Sequence, residues 1–136
     1  RTVIKKYLAL VNGNMDEQRA IVEAPIGRDP HDRKKMAIVN NGRESSTEYR
    51  VAERYPLFDY LSIMPKTGRT HQIRVHLYSL GHPVAGDSLY GGRINGLERQ
   101  FLHAESISFT HPVDNILMEF KSPLAEDLLK FKNSLS

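Results

Sequence analysis

The stretch Thr67-Gly68-Arg69-Thr70-His71-Gln72-Ile73-Arg74-Val75-His76-Leu77 decides the interpretation of this sequence. Its apolar residues Ile73 and Leu77, with Leu80 beyond them, follow the i, i+4, i+7 spacing of one buried helical face. The spacing therefore predicts a short helix over about residues 70–80. The polar residues between these positions are candidates for a functional site on the same helix.

The ends of this predicted helix carry the expected capping residues, because Thr70 stands where an N-cap belongs and Gly81 where a C-cap belongs. Arg74 lies beside the buried face and needs a carboxylate partner, since burying a lone charge costs several kcal/mol. The spacing alone favours an ordinary structural ion pair for Arg74.

The composition limits the classes of protein. A chain of 136 residues with 40% hydrophobic content makes one domain, or most of one. The absence of cysteine excludes a disulfide framework, a thiolate metal site and a cysteine nucleophile, and fits a cytoplasmic location. No apolar stretch approaches the length of a membrane span. His71 and His76 are five residues apart, which does not place them on one helical face, so no metal site is expected.

Positive charge is concentrated near the start of the chain. The net charge is +3, but residues 1–43 hold 9 Lys and Arg against 5 Asp and Glu, whereas residues 44–136 hold 10 against 11. The excess centres on Arg28, Arg33, Lys34, Lys35 and Arg43. A local basic face is the footprint of phosphate contacts, although a solvated charged loop is the commoner explanation of such a run.

The hydrophobic pattern predicts several strands and two helices. Strands are expected at residues 3–11, 20–24, 36–39, 47–51, 57–63, 101–109 and 116–121, and a closing helix at 123–132, with Pro123 in its first position. Residues 27–35 are expected to form a loop, and the glycine-rich residues 81–100 an irregular, exposed connection. This order predicts an α+β domain on an antiparallel or mixed sheet with a few helices.

Several segments together resemble one family. Residues 68–76 are similar to the third core motif of the pseudouridine synthases that modify bacterial large-subunit ribosomal RNA and some tRNAs. The other segments that resemble this family, in its own order, are residues 7–13, 25–28, 33–37, 81–87, 89–91, 101–104 and 109–112. Because the motifs follow one another along nearly the whole chain, the resemblance is more specific than a lone short pattern.

The sequence departs from the family at one decisive point. The family's nucleophile is an aspartate in a His-Arg-Leu-Asp motif, upstream of the strand that begins near Tyr7, and none of the seven aspartates here follows His-Arg-Leu. We therefore expect residues 1–136 to be the C-terminal portion of a single catalytic domain, incomplete at its N-terminus. The N-terminal RNA-binding domain of many relatives is absent too. The chain alone is expected to be inactive.

The resemblance implies isomerisation of uridine to pseudouridine in ribosomal RNA or tRNA, with the base flipped out and no cofactor or metal. It implies that Arg74 pairs with the catalytic aspartate, whose absence would leave Arg74 without that partner, and that Tyr7 lies against the target base. Alone, Tyr7 would be taken for a core tyrosine. Residues expected to contact RNA are Arg69, Thr70, Arg28, Arg33, Lys34 and Lys35. Gln72, His71 and His76 are expected to support the scaffold.

RNA is the expected partner, and the full-length enzyme is expected to be a monomer without membrane association. Two other classes stay open. The chain is alternatively a non-catalytic RNA-binding module on the same scaffold, in which case the whole gene would lack His-Arg-Leu-Asp. The other alternative is a small structural domain whose basic loop binds nothing, in which case RNA affinity would be negligible and would not depend steeply on salt.

Overall fold

The seven predicted strands and two predicted helices form in the predicted order within residues 3–135, together with one strand that was not predicted. The computed structural model describes residues 3–135. The strands are β1 (Val3–Asn12), β2 (Arg19–Glu23), β3 (Ile26–Arg28), β4 (Met36–Ile38), β5 (Ser46–Arg54), β6 (Phe58–Pro65), β7 (Leu102–Thr110) and β8 (Leu117–Lys121). The helices are α1 (Gln72–Ser79) and α2 (Glu126–Asn133).

Six of the strands form one antiparallel sheet in the order β2-β5-β6-β1-β7-β8, and β3 pairs with β4 in a separate hairpin. The expectation of an α+β domain on an antiparallel or mixed sheet is confirmed. The strands expected at 47–51 and 57–63 form β5 and β6, which pair antiparallel with Val51 opposite Leu61 and are joined through Tyr55 and Pro56.

The core lies where α1 packs on the middle of this sheet. β1 is a central strand, and its residues Ala9 and Val11 are fully buried with Leu61 and Ile63 of β6. Ile73 and Leu77 bring the apolar face of α1 into the same cluster, as their helical spacing predicted. This packing fixes the helix that carries Arg74 against the strand that carries Tyr7.

The ends of the helices differ from the prediction. Leu80 is 42% exposed because α1 ends at Ser79. The apolar spacing had wrongly included Leu80 in the buried face of the helix. The second helix begins at Glu126, and Pro123 lies before its first turn. Neither helix within residues 3–135 has the length and apolar character to cross a bilayer.

Two connections are also more structured than the sequence suggested. Residues 26–28 form β3, at the start of the segment that was expected to be a loop. Residues 81–100 are irregular, as predicted, but they are not uniformly exposed, because residues 84–87 and Tyr90 are buried. A backbone bridge between Val84 and Val11 holds this segment against β1.

Candidate active site

A cavity of about 260 Å³ opens beside the N-terminal end of α1, against β1 and β7. Residues from four elements and one turn line it, including Lys5, Tyr7, Arg69, His71, Arg74 and Leu102. Three of the residues singled out in the sequence, Tyr7, Arg69 and Arg74, therefore face one space although they are far apart in the chain.

Arg74 forms a two-pronged ion pair with Asp87. Its Nε donates to Oδ2 of Asp87 at 2.7 Å and its Nη2 donates to Oδ1 at 3.0 Å. The Asp87 side chain is 1% exposed and that of Arg74 is 14% exposed. Parallel N–H donors on a carboxylate fix both position and orientation of the guanidinium, so Arg74 is held in one pose.

Asp87, from the connection after α1, supplies the carboxylate that the position of Arg74 beside the buried face called for. The structural ion pair is therefore present. The pair does not use the whole guanidinium, since Nη1 donates no hydrogen bond to any residue in the described range 3–135. Arg74 thus has one edge fixed by Asp87 and another available to the cavity that it lines.

Asp87 stays ionised in spite of its burial. Burial raises the pKa of the Asp87 carboxyl, but the hydrogen bonds and charge of Arg74 and the amides of Leu89 and Tyr90 leave that pKa below its ordinary value. Oδ1 accepts from those amides at 3.1 Å and 3.2 Å. The hydrogen bond and charge of Asp87 in turn raise the pKa of Arg74. The pair is a fixed dipole rather than a labile proton site.

Tyr7 lies at an irregularity in the pairing of β1. The register between β1 and β7 shifts between Lys6 and Tyr7, which marks a bulge. Bulges redirect the neighbouring side chain, and they are common next to active sites. Tyr7 is half-buried, packs on the main core cluster, and its hydroxyl has no hydrogen-bond partner within the described residues. It therefore differs from a sealed core tyrosine.

His71 joins the cavity to Tyr90. Its Nδ1 lies 2.9 Å from the Tyr90 hydroxyl, which also accepts the Met36 amide at 2.9 Å. The Tyr90 hydroxyl therefore bridges the Met36 amide and the His71 ring. Burial, followed by the charge of Arg74, lowers the pKa of His71 and keeps the ring neutral at pH 7. Its backbone is left-handed, with φ 55°.

Thr70 is not the N-cap of α1, because His71 occupies that position and no side chain caps the helix. Gln72 instead folds back, and its Oε1 accepts from the Arg69 amide at 3.0 Å and from the Thr67 hydroxyl at 2.7 Å. Arg69 donates from Nε and Nη2 to the Glu44 carbonyl at 3.0 Å and 2.7 Å. This turn is held by its own side chains, and Thr70 is exposed outside the cavity.

Gln72 and His76 form an internal support, in agreement with the scaffold role expected of them. The Gln72 Nε2 donates to the Thr47 hydroxyl at 2.9 Å, which lies 2.7 Å from His76 Nδ1. His76 is fully buried, and its Nε2 lies 3.1 Å from the Ala24 carbonyl. These contacts attach α1 to β5 and to the turn before β3. They therefore fix the position of the helix that carries Arg74 relative to the sheet.

The basic cluster lies on the hairpin of β3 and β4 rather than in the cavity. Arg33 and Lys34 are exposed on its loop, and Arg28 donates to the Arg33 carbonyl at 3.1 Å. Lys35 lies 5.8 Å from the centroid of the Tyr90 ring, and Arg74 lies 5.1 Å from the same centroid. Tyr90 is therefore the physical link between the basic hairpin and the arginine of the cavity.

Sequence reasoning missed Asp87 and Tyr90 as parts of the site. Both stand in segments that resembled the family, but the glycine-rich connection was expected to be exposed. The sequence indicated that Arg74 needs a carboxylate partner, but it did not indicate which of the seven aspartates supplies it. No group of three or more His, Asp or Glu residues within positions 3–135 is arranged to hold a metal ion.

The cavity thus combines a buried, oriented arginine with a tyrosine, and a basic hairpin lies next to it, an arrangement whose charge favours anions. The sequence profile of the family described as RNA pseudouridylate synthase matches residues 1–79. The chain belongs to this family.

Relatives match over almost the full length of the chain. It is 45% identical to a ribosomal large subunit pseudouridine synthase D of Nitrosomonas europaea over 94% of the chain and 40% of the relative. It is 40% identical to the protein of the same name in Xanthomonas campestris, over 99% of the chain and 45% of the relative. The chain thus spans less than half of the length of these relatives.

Solved structures agree with the fold. Human RNA pseudouridylate synthase domain containing 1 superposes with a TM-score of 0.79 at 31% identity, over 98% of this chain and 65% of that one. Human RNA pseudouridylate synthase domain containing 4 gives the same TM-score at 23% identity, over 98% of this chain and 62% of that one, and supports the fold alone. The expected pseudouridine synthase fold is confirmed.

Proposed function

We propose that the protein containing this chain is an RNA pseudouridine synthase that isomerises uridine in ribosomal RNA or tRNA. The observation that carries the proposal is that Tyr7 and Arg74 line one cavity, because the family resemblance implies catalytic roles for both residues. The relatives named above are called synthases of this kind, and the proposal extends that activity to this protein.

The reaction breaks the N1–C1′ bond of a uridine, turns the uracil and joins C5 to C1′, after which C5 loses its proton and N1 gains one. A stacked base is out of reach, so the nucleotide must be flipped into the cavity. Asp87 holds Arg74 with Nη1 free, and this nitrogen is suited to orient and ionise a second carboxylate. Tyr7 lines the same cavity, which supports the proposal that its ring contacts the flipped base. The reaction needs no metal or cofactor.

The second carboxylate is proposed to come from a His-Arg-Leu-Asp segment outside residues 1–136, which form the C-terminal portion of one catalytic domain. The isolated chain is then inactive. The phosphates of the RNA are proposed to contact Arg69 and Thr70 beside the cavity and Arg28, Arg33, Lys34 and Lys35 on the hairpin. These contacts set the position of the RNA and not its sequence. We propose a cytoplasmic, monomeric full-length enzyme.

The test is pseudouridine formation by the full-length gene product on large-subunit ribosomal RNA and bulk tRNA, with Arg74→Ala beside the unaltered protein. Loss of a preorganised charge at a reacting group lowers the rate by roughly a hundredfold or more. Arg99→Ala is the matched control, because Arg99 holds Asp127 through the same two nitrogens at 2.9 Å each, outside the cavity. Arg99→Ala should retain activity.

Arg74→Ala also leaves Asp87 buried without its partner, so each variant is assayed below its own melting temperature, and Arg74→Lys serves as a gentler change that retains the charge. Full activity in Arg74→Ala would reduce Arg74 to a structural role. Silence of the unaltered protein on both RNAs would contradict the proposal and favour a non-catalytic RNA-binding module.

A further inference from the structure

A second cavity, of about 280 Å³, lies behind Tyr90, between α1 and the β3–β4 hairpin. Its walls are Met36, Ala37 and Ile38 of β4 on one side and Val75, Tyr78 and Ser79 of α1 on the other. Its volume is close to the lower end of ligand pockets, about 300 Å³. We call this space the hairpin cleft. None of the roles considered so far uses it.

Tyr78 gives the hairpin cleft an accessible aromatic wall. The residue is 50% exposed on α1, and its ring lies 6.0 Å from that of Tyr90, at an angle of 49°. Its hydroxyl forms no hydrogen bond with any residue from 3 to 135. An exposed tyrosine without a polar partner is a surface on which a flat ring can stack.

Charge around the hairpin cleft fits a polyanion whose base enters the cleft. Lys35 is part of the wall, and Arg33 and Lys34 directly precede it on the exposed loop of the hairpin. Asp29 is also part of the wall. A backbone hydrogen bond from His31 lowers the pKa of Asp29, so this carboxylate is ionised at pH 7. It disfavours a phosphate inside the cleft, and the neutral base is the part of a nucleotide that the cleft admits.

The two cavities are neighbours. His71 lines the first and Tyr90 lines the second, and their rings meet edge to face with centroids 5.7 Å apart. This ring contact joins the walls of the two cavities across a distance that adjacent nucleotides of an extended single strand can span. A strand that places one base in the first cavity can therefore place a neighbouring base in the second.

We propose that the hairpin cleft binds an unstacked base next to the target uridine, by stacking on Tyr78, with the phosphates on the basic hairpin. This deepens the proposed function and rests on it, because it presumes that single-stranded RNA crosses the first cavity. The occupant is one nucleobase of an RNA strand. Stacking is tolerant of base identity, so the cleft contributes affinity and register more than sequence readout.

The experiment measures binding of a fluorescent single-stranded oligouridylate to the 136-residue chain by anisotropy. Removing one aromatic platform costs about 1–3 kcal/mol per base, which corresponds to a roughly 5- to 150-fold higher Kd for Tyr78→Ala. Tyr78→Phe keeps the ring and should bind like the unaltered chain. Tyr78→Leu keeps apolar bulk without a ring and should bind weakly, which separates stacking from packing.

Phe120→Ala is the matched control, because Phe120 is 53% exposed on β8 and lies outside both cavities. It should leave the Kd unchanged. Salt dependence gives a second readout. Tyr78→Ala should retain the slope of log Kd against log salt, whereas Lys34→Ala should lower its magnitude by about 0.7 for one lost phosphate contact on a single strand. A merely structural role for Tyr78 would not produce this separation.

Three outcomes are informative. Weak binding by Tyr78→Ala and Tyr78→Leu, with normal binding by Tyr78→Phe and Phe120→Ala, supports the cleft. Equal binding by Tyr78→Ala and the unaltered chain overturns the cleft and leaves the proposed function intact. No binding by the unaltered chain overturns the cleft together with the proposed RNA contacts of this chain.

Discussion

At the scale of single residues, Asp87 fixes the orientation of the Arg74 guanidinium. A guanidinium has five N–H donors in a rigid fork, so a partner that occupies one edge leaves another edge aimed in a defined direction. The partner here is buried and is held by two backbone amides, so it does not move with the substrate. The arginine is thus prepared before any second carboxylate arrives, which is what electrostatic preorganisation requires.

His76 makes the stability of the chain depend on pH. Because the Thr47 hydroxyl accepts from Gln72, its proton is directed to Nδ1 of His76, and Nε2–H then donates to the Ala24 carbonyl. Burial lowers the pKa of His76, with the Ala24 contact acting in the opposite direction. Below about pH 6.5 the unfolded chain therefore binds a proton that the folded chain resists.

We predict that the free energy of unfolding falls as the pH is lowered from 7 towards 5, by at most about 1.4 kcal/mol per pH unit for each such histidine. Urea unfolding across this range measures it. His76→Asn should flatten the dependence without abolishing it, since the pKa of His71 is lowered too. His31→Asn, at an exposed position, should leave the slope unchanged. An unaltered slope in His76→Asn would contradict the assignment.

At the scale of elements, the C-terminal end of α1 depends on one glycine. Gly81 has φ +84°, the left-handed conformation that ends many helices, and its amide donates to the Tyr78 carbonyl at 2.9 Å. A Cβ built there meets no atom within 4 Å. Any effect of a methyl group at this position is therefore a backbone effect, free of steric contact.

We predict that Gly81→Ala destabilises the chain by about 1 kcal/mol, because alanine pays for the left-handed conformation. Thermal or urea unfolding measures this change. Gly68→Ala is the matched control, since Gly68 has equally open surroundings and no positive φ. It should be neutral or slightly stabilising. Equal effects of the two substitutions would mean that the backbone of residue 81 relaxes at no cost.

The elements were predictable where the pattern is local. The alternation around Thr47, Tyr49 and Val51 predicted β5, and the spacing of Ile73 and Leu77 predicted α1. Local pattern failed where distant contacts decide the outcome. Leu80 looks like the next buried position, yet the glycine that follows ends the helix, and the residue is left in solvent. The sequence of residues 84–87 is typical of an exposed loop, yet these residues are buried, and Val84 forms a backbone bridge with Val11 of β1.

At the scale of the whole molecule, the site combines segments that no local rule could join. The resemblance selected Tyr7 and Arg74, and the fold brings them to one cavity. The pairing of Arg74 with Asp87 depends on how the connection after α1 returns to β1. The link from Tyr90 to Met36 spans 54 positions. Such contacts have no spacing signature, which is why the sequence predicted the need for a carboxylate without its identity.

The exposed edge of the sheet sets how the chain behaves in solution. β8 and β2 are the two edge strands of the sheet, and apolar side chains on β8 and just before it face solvent, with Leu117 69% exposed and Phe120 53% exposed. An unpaired apolar edge invites pairing with another chain. We predict that the 136-residue chain self-associates as its concentration rises, which sedimentation velocity over a hundredfold concentration range measures.

Leu117→Lys should suppress this association, because a charge on an edge strand opposes edge-to-edge pairing. Leu57→Lys is the matched control, since Leu57 is 71% exposed but lies in the turn before β6, away from the edge. It should leave association unchanged. If the unaltered chain stays monomeric at every concentration, the β8 edge does not pair with another chain and the prediction is wrong. Equal suppression by both lysines would show that net charge, and not the β8 edge, governs the association.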